Sequence, residues 1–504
     1  MSELNQRSFA TLGELADEPV EQTGPMSDFV YVDISSIDRE TKKITEAKTL
    51  TLAQAPSRAK QLLRAGDVLV SMTRPNLNAV ALVPEQLDGS IGSTGFHVLR
   101  PRWLHPELLL RLVQSQRFVD EMSALVQGAL YPAVRPKDIA AFTVAFETPA
   151  QQTRIVAKLE ELLSDLDAGV AELKVAQKKL VQYRQSLLKA AVEGALTAEW
   201  RAKNTPSETG AQLLERILQE RRARWEAKQL AKFAEQGKTP PKDWQKKYPE
   251  PVQPDTTGLP ELPQGWVWAS VDQLSESVRN GLSKTPNTDQ RGFPIFKINA
   301  VRPMAVNFKA IKHIEIDESE AADYWVEVGD VLATRYNGSV DLLGVFGMVR
   351  NVPERMLHPD KLIRMKPVTG AELGAWMEVC GNVGLSRKHL VARVKTTAGQ
   401  TGISGEDLKR TPIPLPPVSE QRAALAVLEE RLQAIKELGQ PMELGLQQST
   451  AQRQNILRAA FSGQLVPQDP NDEPASVLLE RIRGERAQRD AVKKPRGRKV
   501  KEAA

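Results

Sequence analysis

Arg184-Gln185-Ser186-Leu187-Leu188-Lys189-Ala190-Ala191-Val192-Glu193-Gly194-Ala195-Leu196 has a counterpart about 270 residues later. That counterpart reads Arg453-Gln454-Asn455-Ile456-Leu457-Arg458-Ala459-Ala460-Phe461-Ser462-Gly463-Gln464-Leu465. The match extends outward in both directions. Upstream, Thr148-Pro149-Ala150-Gln151-Gln152-Thr153-Arg154 answers to Pro416-Pro417-Val418-Ser419-Glu420-Gln421-Arg422. Downstream, Leu213-Leu214-Glu215-Arg216-Ile217 answers to Leu478-Leu479-Glu480-Arg481-Ile482. Order and spacing agree, so a whole unit is duplicated. Two similar halves predict a pseudo-twofold arrangement, which suits a target with two half-sites.

Each copy of this stretch closes a helical pattern. Apolar residues recur in steps of four and three at Ile155, Leu159, Leu162, Leu166, Gly169, Leu173, Ala176, Leu180, Tyr183, Leu187 and Ala190. Leucine stands at every seventh place from Leu159 to Leu187, a period that predicts a coiled coil. The second copy runs Leu425, Leu428, Leu432, Ile435, Gly439, Met442, Leu446, Ser449, Ile456 and Ala460. Pro441 sits within it and predicts a kink or break, because proline removes a helical hydrogen bond and crowds the preceding turn. The nearest partner for each seam is the other copy, so the helices are expected to pair antiparallel.

The segments outside these helices are mixed. Phe29-Val30-Tyr31-Val32-Asp33-Ile34 and Asp67-Val68-Leu69-Val70-Ser71 are short β-rich runs in the first half; Phe293-Pro294-Ile295-Phe296-Lys297-Ile298 and Gly329-Asp330-Val331-Leu332-Ala333-Thr334-Arg335 are their like in the second. Gly66-Asp67-Val68-Leu69 recurs as Gly329-Asp330-Val331-Leu332, each leading through a strand to an arginine, Arg74 and Arg335. Residues 237–265 hold Pro240, Pro241, Pro249, Pro251, Pro254, Pro260 and Pro263, the composition of an irregular linker. It ends at Leu262-Pro263-Gln264-Gly265-Trp266-Val267-Trp268, where alternation puts both indoles on one face as core anchors.

The 504 residues carry 68 Lys+Arg against 63 Asp+Glu, a net +5 with pI near 9.0. That balance permits a nucleic-acid partner without requiring one. Charge blocks stand at Arg221-Arg222-Ala223-Arg224 and in the tail from Lys493 to Lys501, read as a solvated, disordered end. The single cysteine, Cys380, fits a reducing compartment. Met1-Ser2-Glu3-Leu4-Asn5-Gln6 lacks a signal-peptide pattern, and no apolar run approaches membrane-spanning length, so a cytoplasmic location is expected.

Motifs for chemistry are missing. There is no Gly-x-x-x-x-Gly-Lys-Ser/Thr loop. The double prolines, Pro240-Pro241 and Pro416-Pro417, lack the aromatic of an amino-methyltransferase loop. His97, His105, His313, His358 and His389 are scattered without metal-ligand spacing. Glu172-Leu173-Lys174 lies inside the heptads, where a solvated charge pair is ordinary. No catalytic, cofactor or metal residue is expected in this chain.

The succession of a β-rich segment, a Pro-x-x-x-Gln/Glu-Gln-Arg lead-in, a long helix ending in Arg-Gln-x-Leu/Ile-Leu-x-Ala-Ala-x-x-Gly, and the same again resembles the specificity subunit of type I restriction-modification enzymes. Leu213 to Trp225 and the Leu-Pro-x-Gly-Trp-x-Trp run are similar to that family too; two places depart, Pro441 within the second helix and the start of the first segment, where no Gly-Trp-x-Trp precedes Leu12-Gly13-Glu14-Leu15, the match to Val271-Asp272-Gln273-Leu274. The resemblance implies an α+β chain: two mixed α/β target recognition domains separated by two long helices in an antiparallel coiled coil, pseudo-twofold duplicated. The expected divisions are 1–147 (first recognition domain), 148–236 (first spacer helix and the helix after it), 237–265 (linker), 266–415 (second recognition domain), 416–490 (second spacer helix region) and 491–504 (basic tail).

It also implies double-stranded DNA as partner, two methyltransferase subunits that carry S-adenosylmethionine, and motor-nuclease subunits that use ATP and Mg²⁺. The stretch from Ile155 to Ala190 would span roughly 50 Å as a helix, about one and a half turns of B-DNA. Because the globular segments differ while the helices repeat, the two half-sites should differ. Residues suited to purine edges and phosphates are Arg74, Asn76 and Asn78 with Tyr131, Arg135 and Lys137 in the first half. In the second they are Arg335, Tyr336 and Asn337 with Lys395, Thr397 and Gln400. Arg184 and Arg453, one per repeat and expected to be exposed, are the candidate partner-binding residues. A coiled-coil interaction scaffold without DNA readout fits the same composition.

Overall fold

In the computed structural model, residues 8–16, 19–126, 130–287, 289–397 and 400–493 are described. Most of the basic tail, and the opening hexapeptide, therefore lie outside the described residues. The chain divides into two compact units, Met1–Val175 with Met442–Ala504, and Ala176–Pro441. Both long helices, Pro149–Val192 and Val418–Phe461, cross from one unit into the other.

In the first unit, Val68–Ser71 is central to a three-stranded sheet, between Phe96–Leu99 and Val80–Leu82. All four of its residues are buried, so the strand is apolar on both faces rather than alternating. A second sheet orders Lys48–Leu50, Phe29–Val32, Ile91–Ser93 and Ala59–Leu62. Ser8–Thr11 pairs with Thr143–Phe146, and the helices Pro106–Gln114 and Gln116–Ala124 cover the core.

The second unit repeats this plan. Val331–Thr334 lies between Leu362–Pro367 and Phe346–Met348, with Ser275–Asn280 added at the edge. Val267–Ser270 pairs with Pro412–Leu415, and Ala371–Asn382 and Gly384–Ala392 take the helical places. The short helices Leu12–Leu15 and Val271–Leu274 are both closed by capping boxes, from Thr11 and Ser270, so the match between those tetrapeptides holds. The Gly-Asp echo is structural. Gly66 and Gly329 take φ of 86° and 95°, where a side chain would be strained. Asp67 and Asp330 then each accept from the amide three residues earlier, at 2.9 and 2.8 Å.

The helices pair antiparallel within each unit. Asp167 meets Arg453 and Leu173 approaches Gly445 in the first; Tyr183 accepts from Arg431 in the second. Leu162, Leu166, Leu173 and Leu180 are half-buried, as a two-stranded seam requires. Gly169 and Tyr183 fall outside it: both are exposed, and Val170 and Arg184 take the half-buried places. Pro441 does not break its helix, which runs unbroken for 44 residues. Proline forfeits one hydrogen bond, a cost of about 3 kcal/mol. The half-buried positions Ile435, Gly439, Met442 and Leu446 on either side hold the helix against that loss.

The duplicated stretches form the helix ends. Gly194 and Gly463 have φ of 75° and 71° and terminate the two helices as left-handed caps. Leu187, Leu188, Ala191 and Val192 enter the core of the second unit; Ile456, Leu457 and Ala460 enter that of the first. The lead-in motifs latch onto these exits. Gln151 Nε2 donates to the carbonyls of Val466 and Pro467, while Glu420 accepts from Thr197, Arg201 and the Trp266 indole.

Two expectations change. The Arg221-Arg222-Ala223-Arg224 block is not a free basic patch. Arg221 is buried on the Ser275 carbonyl and the Tyr248 hydroxyl, Arg222 pairs with Glu226, and Arg224 with Glu220 and Glu276. The proline-rich linker is irregular but anchored, with Trp244 stacked on Trp225 at 5.8 Å. Of the paired indoles, Trp266 is a core anchor against Trp376, whereas Trp268 is half-buried and donates to the Pro260 carbonyl.

Candidate nucleic-acid interface

In each globular domain the two predicted residue sets converge, because backbone pairing brings their segments together. In the first domain Thr73 bridges Ala133, Val134 N–H donates to the Met72 carbonyl (2.8 Å) and Arg74 N–H to the Pro132 carbonyl (2.8 Å). In the second, Tyr336 bridges Gly402, Ile403 N–H donates to the Arg335 carbonyl (3.0 Å) and Asn337 N–H to the Thr401 carbonyl (3.4 Å). The same corner of backbone is built twice.

The matched bonds set a register that differs from the sequence expectation. Arg335 occupies the place of Met72, and Asn337 that of Arg74, so the two arginines are not equivalent. A further pair confirms this: Met72 N–H donates to the Gly95 carbonyl (3.0 Å) and Arg335 N–H to the Lys361 carbonyl (2.8 Å).

In the first corner, Arg74 and Asn78 flank the 3₁₀ turn Pro75–Leu77, both left-handed at φ of 50° and 45°. Arg74 and Asn76 are exposed. Asn78 is committed inward, donating its side-chain amide to the Val113 carbonyl at 2.8 Å. Tyr131 is 87% exposed and Lys137 is exposed, whereas Arg135 is forked onto Asp138 at 3.0 and 3.2 Å. Sequence reading missed Lys42, whose ammonium donates to the Asn78 carbonyl at 2.6 Å. Burial, then the neighbouring Arg39, hold it below the usual lysine range. The basic run Arg39-Glu40-Thr41-Lys42-Lys43 was the available signal.

In the second corner, Tyr336 has the Arg335 guanidinium 4.8 Å and the Lys361 ammonium 5.2 Å from its ring centroid. Lys361 was also missed; no local pattern marks it, since only strand register puts it beside Arg335. Asn337 accepts from the Ser339 amide. Lys395 is exposed on a hairpin whose Thr397 pairs with Gln400.

The candidate partner residues lie on the long helices, and neither is fully exposed as expected. Arg184 is half-buried, and Arg453 is half-buried in an ion pair with Asp167. The seam draws both inward. Among the described residues no group of three or more His, Cys, Asp or Glu is arranged to hold a metal ion, and no helix is long and apolar enough to cross a membrane.

The chain is 28% identical over 400 residues to the type I restriction enzyme EcoKI specificity subunit of Escherichia coli strain K12, covering 77% of this chain and 74% of that one. It is 23% identical over 398 residues to the type I restriction enzyme StySPI specificity subunit of Salmonella potsdam, with the same coverage. The chain is thus similar over most of its length to type I restriction specificity subunits. A chain from a structure concerned with complex assembly and conformational transition of the type I R-M system shares the fold of this chain. It has a TM-score of 0.65 at 24% identity, spanning 92% of this chain and 100% of that one. No protein-family profile matches.

Proposed function

We propose that this chain is the sequence-reading subunit of a type I restriction-modification complex, itself non-catalytic. Each globular domain reads one part of a bipartite double-stranded DNA site. Methyltransferase subunits, two per chain, dock on the helical regions, carry S-adenosylmethionine and methylate adenine; motor-nuclease subunits supply ATP- and Mg²⁺-dependent cleavage. The observation that carries this reading is the corner built twice from the same backbone with different polar side chains. A shared scaffold with altered contacts is what two readers of unlike half-sites require.

Exchanging residues 1–147 for the first domain of another family member should change one half of the methylated sequence, read as N6-methyladenine across the genome. Changes in both halves would sink the two-reader arrangement. A scaffold without DNA readout would instead show no steep loss of duplex affinity with salt in shift assays containing the methyltransferase subunits. Native mass spectrometry should give two partners per chain; a ratio of one at saturation overturns that stoichiometry. Arg184→Glu is the cleaner probe of partner docking, because Arg453→Glu also sets a like charge against Asp167.

A further inference from the structure

We infer that Arg335, Tyr336 and Lys361 form a cation–aromatic contact to DNA in the second domain, one that the first domain lacks. This rests on the sequence-reading function proposed above. Arg335 and Lys361 place two positive charges on one ring. Neither has a carboxylate within ion-pair distance among the described residues. Arg335 Nε is shielded from solvent and has no acceptor, and Nη1 reaches only the Asp360 carbonyl, at 3.4 Å. Two like charges side by side are relieved by one anionic acceptor that both can approach. A DNA phosphate supplies it, with the ring offered to the adjoining sugar or base.

The ring is held, not loose. A Cβ at Gly402 would stand 2.5 Å from Tyr336 Cδ1 and 2.8 Å from the Arg335 carbonyl, so the tyrosine lies directly on the glycine backbone. In the first domain the matched positions are Met72, Thr73, Gly95 and Ala133. Both cations and the ring are gone, and Ala133 carries the methyl group that such a ring could not tolerate. Positive charge appears elsewhere in the first domain, at Lys42 and Arg74. The hairpin residue in the corresponding place to Lys42 is Met304; both are left-handed, at φ of 56° and 62°. The charges have moved across a constant scaffold, so the two domains grip the duplex at different backbone positions.

The test uses the full chain with its methyltransferase partners and a duplex bearing the methylated site. Lys361→Ala should lower affinity and reduce the slope of log affinity against log salt by about one. Tyr336→Leu should weaken binding roughly tenfold, while Tyr336→Phe stays near wild type. Gly402→Ala, which displaces the ring, should reproduce the Tyr336→Leu loss. Relaxed methylation should appear in one half of the site only, with thermal melting of the Lys361→Ala and Tyr336→Leu variants unchanged. Lys361→Ala and Tyr336→Leu complexes with wild-type affinity and slope overturn the contact alone. A wild-type complex that binds no duplex selectively overturns the proposed function, and the contact with it.

Discussion

Asn78 separates a polar residue that builds the corner from one that is free to read from it. Its left-handed backbone disfavours most side chains, and its amide is spent on the Val113 carbonyl. Asn78→Ala should therefore destabilise the chain by about 1–3 kcal/mol in urea denaturation, with Asn78→Gly milder because the strain is lifted. An alanine variant as stable as wild type would return Asn78 to the set of free readers. His358, wholly buried, answers to pH. Burial first, then Arg364, push its pKa down to about 3, so below pH 6.5 the unfolded chain takes up a proton that the folded chain refuses. Its contribution is lost as pH falls, roughly 3 kcal/mol by pH 4. Asp330 acts oppositely: burial raises its pKa to about 6, so it adds stability as pH falls from 6 toward 3.8. Relative to wild type, His358→Gln should gain stability steadily from pH 6.5 to 4; parallel curves would remove His358 from this role. The residue scale was the least legible in sequence. Arg74 lies seven residues after Asp67 but Arg335 only five after Asp330, and that offset of two hid their different places in the corner. Lys361 reaches Tyr336 only through strand pairing, which no local spacing encodes.

Elements were far more legible, because periodicity and glycine caps are local properties. The seam of the second long helix, the capped tetrapeptides and the doubled helix ends all followed from spacing. The failures arose where tertiary contact overrode local preference, at Pro441 and in the arginine block at 221–224. The latches were visible only as repetition, since their partners are 154 to 223 residues distant in the second unit and more than 300 in the first. They also differ in kind. Glu420 is a buried carboxylate shared by Thr197, Arg201 and Trp266, whereas Gln151 is a neutral amide on two carbonyls. Glu420→Ala leaves the Arg201 charge without its partner and should cost about 3–5 kcal/mol. Gln151→Ala should cost only about 1–2 kcal/mol. Guanidinium denaturation of the two variants checks the ranking, and equal losses would mean that the charge at Glu420 adds nothing.

At the scale of the whole molecule, the two units are unequal in how they draw on the chain. The second is one continuous stretch, Ala176–Pro441, but the first needs both ends of the sequence. Leu478, Leu479 and Ile482 share a buried cluster with Leu12, Val68 and Phe146, and Arg483 donates to the Phe9 carbonyl. During synthesis the segment made first therefore waits for the segment made last. At 5–20 residues per second that delay is on the order of tens of seconds, and it reverses the usual order in which N-terminal domains mature before later ones. Ribosome-bound chains arrested once Pro441 has just cleared the exit tunnel should show a protease-resistant second unit beside a still-cleavable first domain. Through that interval the apolar faces around Leu12 and Phe146 stand uncovered, so the nascent first domain is the natural client for a chaperone.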